Sequence, residues 1–131
     1  MIVKIAHIGI AVNNLEEAVK LYTDAFGLKV GEIETLEEQK VRIAMIPIGE
    51  SSIELLEPSD SEGPIAKFIE KRGEGIHHLA LEVDDIRGML RILKGKGVPL
   101  IDMEPRIGAG GSKVAFLHPK GTKVLIELVE H

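Results

Sequence analysis

His7-Ile-Gly-Ile-Ala-Val-Asn-Asn-Leu15 returns 71 residues later as His78-Leu-Ala-Leu-Glu-Val-Asp-Asp-Ile86, with no gap between the copies. Both copies begin with a run whose alternate residues share a face, which is the pattern of a strand. In the first copy the strand extends over residues 2–12 and puts Val3, Ile5, His7, Gly9 and Ala11 on one side. The Asn13-Asn14 pair that follows offers helix N-caps. A helix over 15–26 has Ala18, Val19, Tyr22 and Phe26 at helical spacing and stops at Gly27, and its counterpart over 86–96 stops at Gly97.

The rest of each half follows the same plan. Strand-like segments are expected over 28–36, 40–48 and 52–57, and again over 98–103, 113–117 and 123–129. Both halves close on related text, Ile53-Glu-Leu-Leu-Glu57 and Ile126-Glu-Leu-Val-Glu130. Between them Ser59-Asp-Ser-Glu-Gly-Pro64 reads as a connector, followed by a short helix with Ile65, Phe68 and Ile69 on its apolar side and Gly73 at its end. These features predict an α+β fold, two tandem βαβββ modules within one domain. Module one covers about 1–57, the connector about 58–74, and module two about 75–131.

Composition removes several functional classes. With a net charge of −5, one Tyr, three Phe and no Trp, the chain lacks the basic surface and stacking platforms of a nucleic-acid binder. The absence of cysteine excludes disulfides, thiolate metal sites and cysteine nucleophiles together. No stretch approaches the ~18 apolar residues of a membrane span, and the apolar opening shows no signal-peptide cleavage pattern. The expectation is a soluble cytoplasmic protein with no membrane partner.

A polar residue repeated at one strand position in both halves calls for a physical reason. His7 and His78 hold equivalent places, and so do Glu54 and Glu127. A carboxylate on such a surface is costly to bury unless it is paired or coordinates a metal, and two carboxylates side by side repel. One divalent ion bound by His7, Glu54, His78 and Glu127 removes both costs. Imidazole nitrogen with carboxylate oxygen suits Co, Mn, Ni, Zn or Fe better than Ca or Mg. His77 alternates to the other sheet face and is not expected at that metal. Gly108-Ala-Gly-Gly111 lacks the lysine and the strand-to-helix setting of a phosphate loop and reads as a turn.

Paired βαβββ halves with His, Glu, His and Glu ligands resemble the vicinal oxygen chelate superfamily, which includes the glyoxalases, bleomycin resistance proteins and extradiol dioxygenases. Within it the chain is similar to the methylmalonyl-CoA epimerase family over essentially its whole length. The similarity rests on Glu38-Gln-Lys-Val41, Glu54-Leu-Leu-Glu-Pro58, Gly73-Glu-Gly-Ile-His-His78, Gly108-Ala-Gly-Gly-Ser112 and Phe116-Leu-His-Pro-Lys120, besides the repeats above.

That resemblance implies an eight-stranded open barrel, a homodimer, and a cobalt or similar ion. It also implies interconversion of (R)- and (S)-methylmalonyl-CoA by removal and return of the C2 proton through a metal-stabilised enolate. Two acid–base groups are then needed on opposite faces of C2. Some members place a glutamate two residues beyond the Glu-Gln-Gly-Val string and a glutamine where this chain has Glu54. Here those positions hold Ile43 and Glu54, and Lys40 replaces the glycine. The expected acid–base pair is therefore Glu54 and Glu127, with Ser112 and Lys120 as candidates for gripping the substrate. The alternative readings are a glyoxalase I-like lactoylglutathione lyase and a metal-free small-molecule binding protein of the same fold.

Overall fold

Strand β1 (Ile2–Ala11) is followed by helix α1 (Leu15–Lys20), whose cap residue Asn14 accepts the Glu17 N–H at 3.0 Å. Glu16 and Glu17 sit in its first turn, where the helix dipole favours negative charge. The helix widens into a π-helical turn over Leu21–Ala25 before Gly27, at φ 71°, ends it. The expected helix over 15–26 has the right extent, but residue spacing carries no signal for the widened turn. Strands β2 (Ile33–Leu36), β3 (Val41–Ile48) and β4 (Ser51–Pro58) then form an antiparallel meander. Helix α2 (Pro64–Arg72) starts on a proline, where the missing N–H costs nothing, and ends at Gly73.

The second half repeats the plan with β5 (Gly75–Val83), α3 (Ile86–Gly95), β6 (Arg106–Ile107), β7 (Lys113–Leu117), a short helix α4 (Pro119–Thr122) and β8 (Ile126–Glu130). Asp85 caps α3 by accepting the Gly88 N–H at 3.1 Å. In this computed structural model, which describes residues 1–131, the eight strands share one mixed sheet ordered β2-β3-β4-β1-β5-β8-β7-β6. Each half thus contributes four strands in the same order from the edge inward. The duplicated eight-stranded α+β fold expected from the repeats is the fold formed.

Two strands depart from the sequence reading: the one expected over 28–36 forms only over Ile33–Leu36, and the one expected over 98–103 lies elsewhere. Residues 98–103 make only an isolated bridge, Leu100 to Leu117, while the Ile101 and Asp102 N–H groups both reach the Phe116 carbonyl. The Asp102 carboxylate accepts the Phe116 N–H at 2.9 Å, so a side chain occupies the place that a ladder carbonyl would take. The sixth strand is displaced to Arg106–Ile107.

The chain packs as two compact units, Met1–His7 with His78–His131, and Ile8–His77. In the first, α3 lays Ile86 and Leu90 on Ala115, Leu117, Ile126 and Leu128. Alternation along β8 then turns Glu127 and Val129 to the other face, where Val129 packs with Ala6, Ala80 and Val114. In the second unit, Leu15 of α1 packs on Ala44, Ile46 and Leu55, which leaves Ile43, Glu54 and Leu56 on the face away from that helix.

Lys40 closes the 3-10 turn Glu37–Gln39 at φ 56°, a left-handed conformation that costs a residue with a Cβ roughly 1 kcal/mol. Glycine suits that position, which is where the related string carries it. No helix is long and apolar enough to cross a membrane.

Candidate metal centre

Three strand side chains of the first unit meet in its interior. Strand β8 runs parallel to β5 with Ala80 beside Glu127, and His78 precedes Ala80 by two residues on the same face. His7 comes from the β1 segment belonging to that unit. Its Nε2 lies 3.0 Å from His78 Nε2 and 2.9 Å from Glu127 Oε1, and His78 Nε2 lies 3.3 Å from the same oxygen. All three residues are buried, His78 to 3% exposure.

Glu127 Oε1 is enclosed and takes no directed hydrogen bond, although two imidazole nitrogens stand beside it. An enclosed carboxylate oxygen in that condition is costly unless another cation completes its surroundings. The spacing provides a test of fit. Metal bonds of roughly 2.0–2.2 Å to nitrogen and oxygen separate adjacent donors by about 3.0 Å at right angles and about 3.4 Å in a tetrahedron. The three observed separations, 2.9, 3.0 and 3.3 Å, each lie within about 0.1 Å of one or other of those values. Borderline nitrogen with hard oxygen is a first-row transition-metal donor set. His7, His78 and Glu127 fit one divalent ion.

The electrostatics agree. Burial raises the Glu127 carboxyl pKa, but close polar contact with His7 and His78 and their charge lower it further, and it settles at about 2. The group is held as a carboxylate, the form that binds metal.

Glu54 lies in the second unit on β4, directly across from Met45, and is buried on the face that carries Ile43 and Leu56. His77, which is not expected at the metal, stacks edge-on against Phe68 at 4.9 Å. Ser112 is buried one residue before β7, and its hydroxyl donates to the Ala109 carbonyl at 2.8 Å. Lys120 is exposed on α4, and its backbone N–H donates to His118 Nδ1 at 3.0 Å.

Two neighbours escaped sequence reasoning. Phe116 pairs with Glu127 across the β7–β8 ladder and presents its ring edge-on to His78 at 5.9 Å. Arg106 places its guanidinium over that ring, 5.6 Å from the centroid. Phe116 stands in a string the sequence singles out, but only the ladder register shows which way it faces.

Residues 6–116 match the family model described as the Glyoxalase/Bleomycin resistance protein/Dioxygenase superfamily. The chain is 42% identical to the mitochondrial methylmalonyl-CoA epimerase of Dictyostelium discoideum, over 97% of its own length and 78% of the relative's. It is 40% identical to the ethylmalonyl-CoA/methylmalonyl-CoA epimerase of Cereibacter sphaeroides, over 92% and 91%. A solved methylmalonyl-CoA epimerase in complex with methylmalonyl-CoA and NH4+ superposes with a TM-score of 0.95 at 39% identity, covering 99% of this chain and 95% of that one. With the duplicated fold and the buried His, His and Glu set already in place, the chain belongs to the glyoxalase/bleomycin resistance/dioxygenase superfamily and, within it, to the methylmalonyl-CoA epimerase family.

Proposed function

We propose that this protein epimerises methylmalonyl-CoA at C2 with the help of one divalent metal ion. The observation that carries the proposal is the buried cluster of His7, His78 and Glu127 at metal-ligand spacing in a chain of this family. Glu54 is proposed as the fourth ligand, because it is a buried carboxylate at the place in its half that Glu127 holds in the other. Cobalt is the proposed ion, with manganese, nickel, zinc and iron compatible with the same donors. When bound, the ion supplies a Lewis acid that polarises the thioester carbonyl and so acidifies the adjacent carbon.

The residues provide the rest. Inversion requires a proton acceptor on one face of C2 and a donor on the other. Glu127 and Glu54 are proposed for those places, one carboxyl holding the proton removed while the other delivers its own. His7 and His78, held on strands, fix the site's geometry, and the Phe116 ring stands edge-on to His78 at 5.9 Å. Ser112 and Lys120 remain proposed contacts to the substrate.

A single domain of two βαβββ modules is the proposed organisation, with a homodimer as the assembly. Met1, Ile2, Val3 and Ile5 expose apolar side chains along one end of β1, which supports self-association there. A cytoplasmic setting, where acyl-CoA esters are available, fits this chemistry.

The test is turnover of pure (S)-methylmalonyl-CoA in deuterated water, run beside the methylglyoxal–glutathione adduct. The expected result is an equilibrium mixture of CoA ester epimers with deuterium at C2. Turnover of the glutathione adduct with none of the CoA ester would make the protein a glyoxalase.

A further inference from the structure

Arg106 faces the metal-cluster side of the first unit, by two independent observations. In the β6–β7 ladder it pairs with Val114, so its side chain shares the face of Val114 and Phe116, and Phe116 pairs in turn with Glu127. The guanidinium also lies over the Phe116 ring, 5.6 Å from its centroid, and that ring abuts His78. Two ring contacts therefore connect this cation to a proposed metal ligand.

Arg106 makes one ion pair and keeps further donors to spare. One amino group reaches the Asp102 carboxylate at 3.3 Å, and Asp102 is itself engaged by the Phe116 N–H at 2.9 Å. The arginine side chain is 52% exposed, which leaves its remaining donors turned to solvent at the rim of the cluster. The other lysine or arginine on strands β5 to β8, Lys113, pairs with Glu130 on the opposite face and reaches that carboxylate at 3.6 Å. Arg106 is thus the cation those four strands offer on the cluster's side.

A polyanionic thioester approaching a chain of net charge −5 needs a local positive anchor. A planar guanidinium braced on an aromatic ring matches phosphate oxygens in pairs and loses little freedom on binding. We propose that Arg106 binds a phosphate group of the coenzyme A moiety, an assignment that rests on the epimerase reading for the identity of the ligand.

Calorimetry on the metal-loaded protein tests this without requiring turnover. Coenzyme A and pantetheine, which lacks the phosphates, are titrated into the wild type, Arg106→Gln and Arg106→Lys. Loss of a charge-assisted contact weakens binding roughly ten- to a hundredfold. Arg106→Gln should therefore bind coenzyme A at least about tenfold more weakly, Arg106→Lys should fall between, and pantetheine should bind all three alike. Steady-state kinetics on methylmalonyl-CoA should show the same change in KM with kcat little altered.

Equal losses for coenzyme A and pantetheine would mean that Arg106 only props Phe116, and would overturn the proposal. So would unchanged coenzyme A affinity, or a wild type that binds no coenzyme A. An increase in KM toward a methylmalonyl–pantetheine thioester as large as that toward the CoA ester would assign Arg106 to the substrate carboxylate instead. Arginine-dependent coenzyme A binding in a protein that epimerises nothing would leave this assignment standing and remove the proposed function alone.

Discussion

His78→Ala protein is expected to lose its metal. His78 is buried against His7 Nε2 at 3.0 Å and Glu127 Oε1 at 3.3 Å, so its removal deletes one donor and leaves a cavity beside the other two residues. Loss of a group that merely orients a ligand costs about 10–100-fold in metal affinity, and loss of a ligand should cost at least ~10²-fold. Epimerase activity should fall with metal content. His77→Ala is the control, since its ring leans on Phe68 and its loss should leave the metal in place. Elemental analysis after dialysis, with circular dichroism to establish folding, reads both variants. Full metal occupancy in folded His78→Ala would show that the cluster is not the metal centre.

The second large effect is expected at Glu54. Glu54→Gln keeps an oxygen donor and nearly the same volume at a buried position, but an amide cannot accept or return a proton. The variant should retain its metal and lose at least ~10²-fold in turnover, the low end for removing a general acid–base group. It should still exchange C2 deuterium in one epimer through Glu127. Retained metal with a nearly normal rate would exclude Glu54 as a proton-transfer group. Glu34 would then be the carboxyl to examine, because it pairs with Ile43 across β2–β3, and Ile43 shares its face with Glu54. Glu37 and Glu38 stand exposed on the following turn, and Glu57 is engaged on the helix side by the Leu15 N–H and Arg42.

What the sequence made legible was the part encoded twice. The repeated His strand and the repeated Glu strand identify β1, β5, β4 and β8 and their inward residues, because a period of two is local information. Gly27, Gly73 and Gly97, all at positive φ, end their helices where punctuation predicts. Strand partners are different, since they are set by long-range pairing that no window of residues contains. The grouping of Met1–His7 with His78–His131 is such a case, supported by the Asp84 N–H bonded to the Met1 carbonyl and by Ala6 packed with Ala80 and Val129. So is the shift of the sixth strand from 98–103 to Arg106–Ile107, where the Asp102 carboxylate takes an N–H that a strand would have shared. Arg106 gave no signal of its own, for its role depends on the register of a two-residue strand.

The most direct test of the metal-centred account is the epimerisation rate of one preparation measured three times. The protein is assayed as purified, after a chelator has stripped and been dialysed away, and after cobalt is returned. The account predicts activity, then loss to the limit of detection, then recovery in proportion to the cobalt bound. Full activity in protein shown by elemental analysis to be metal-free would contradict it.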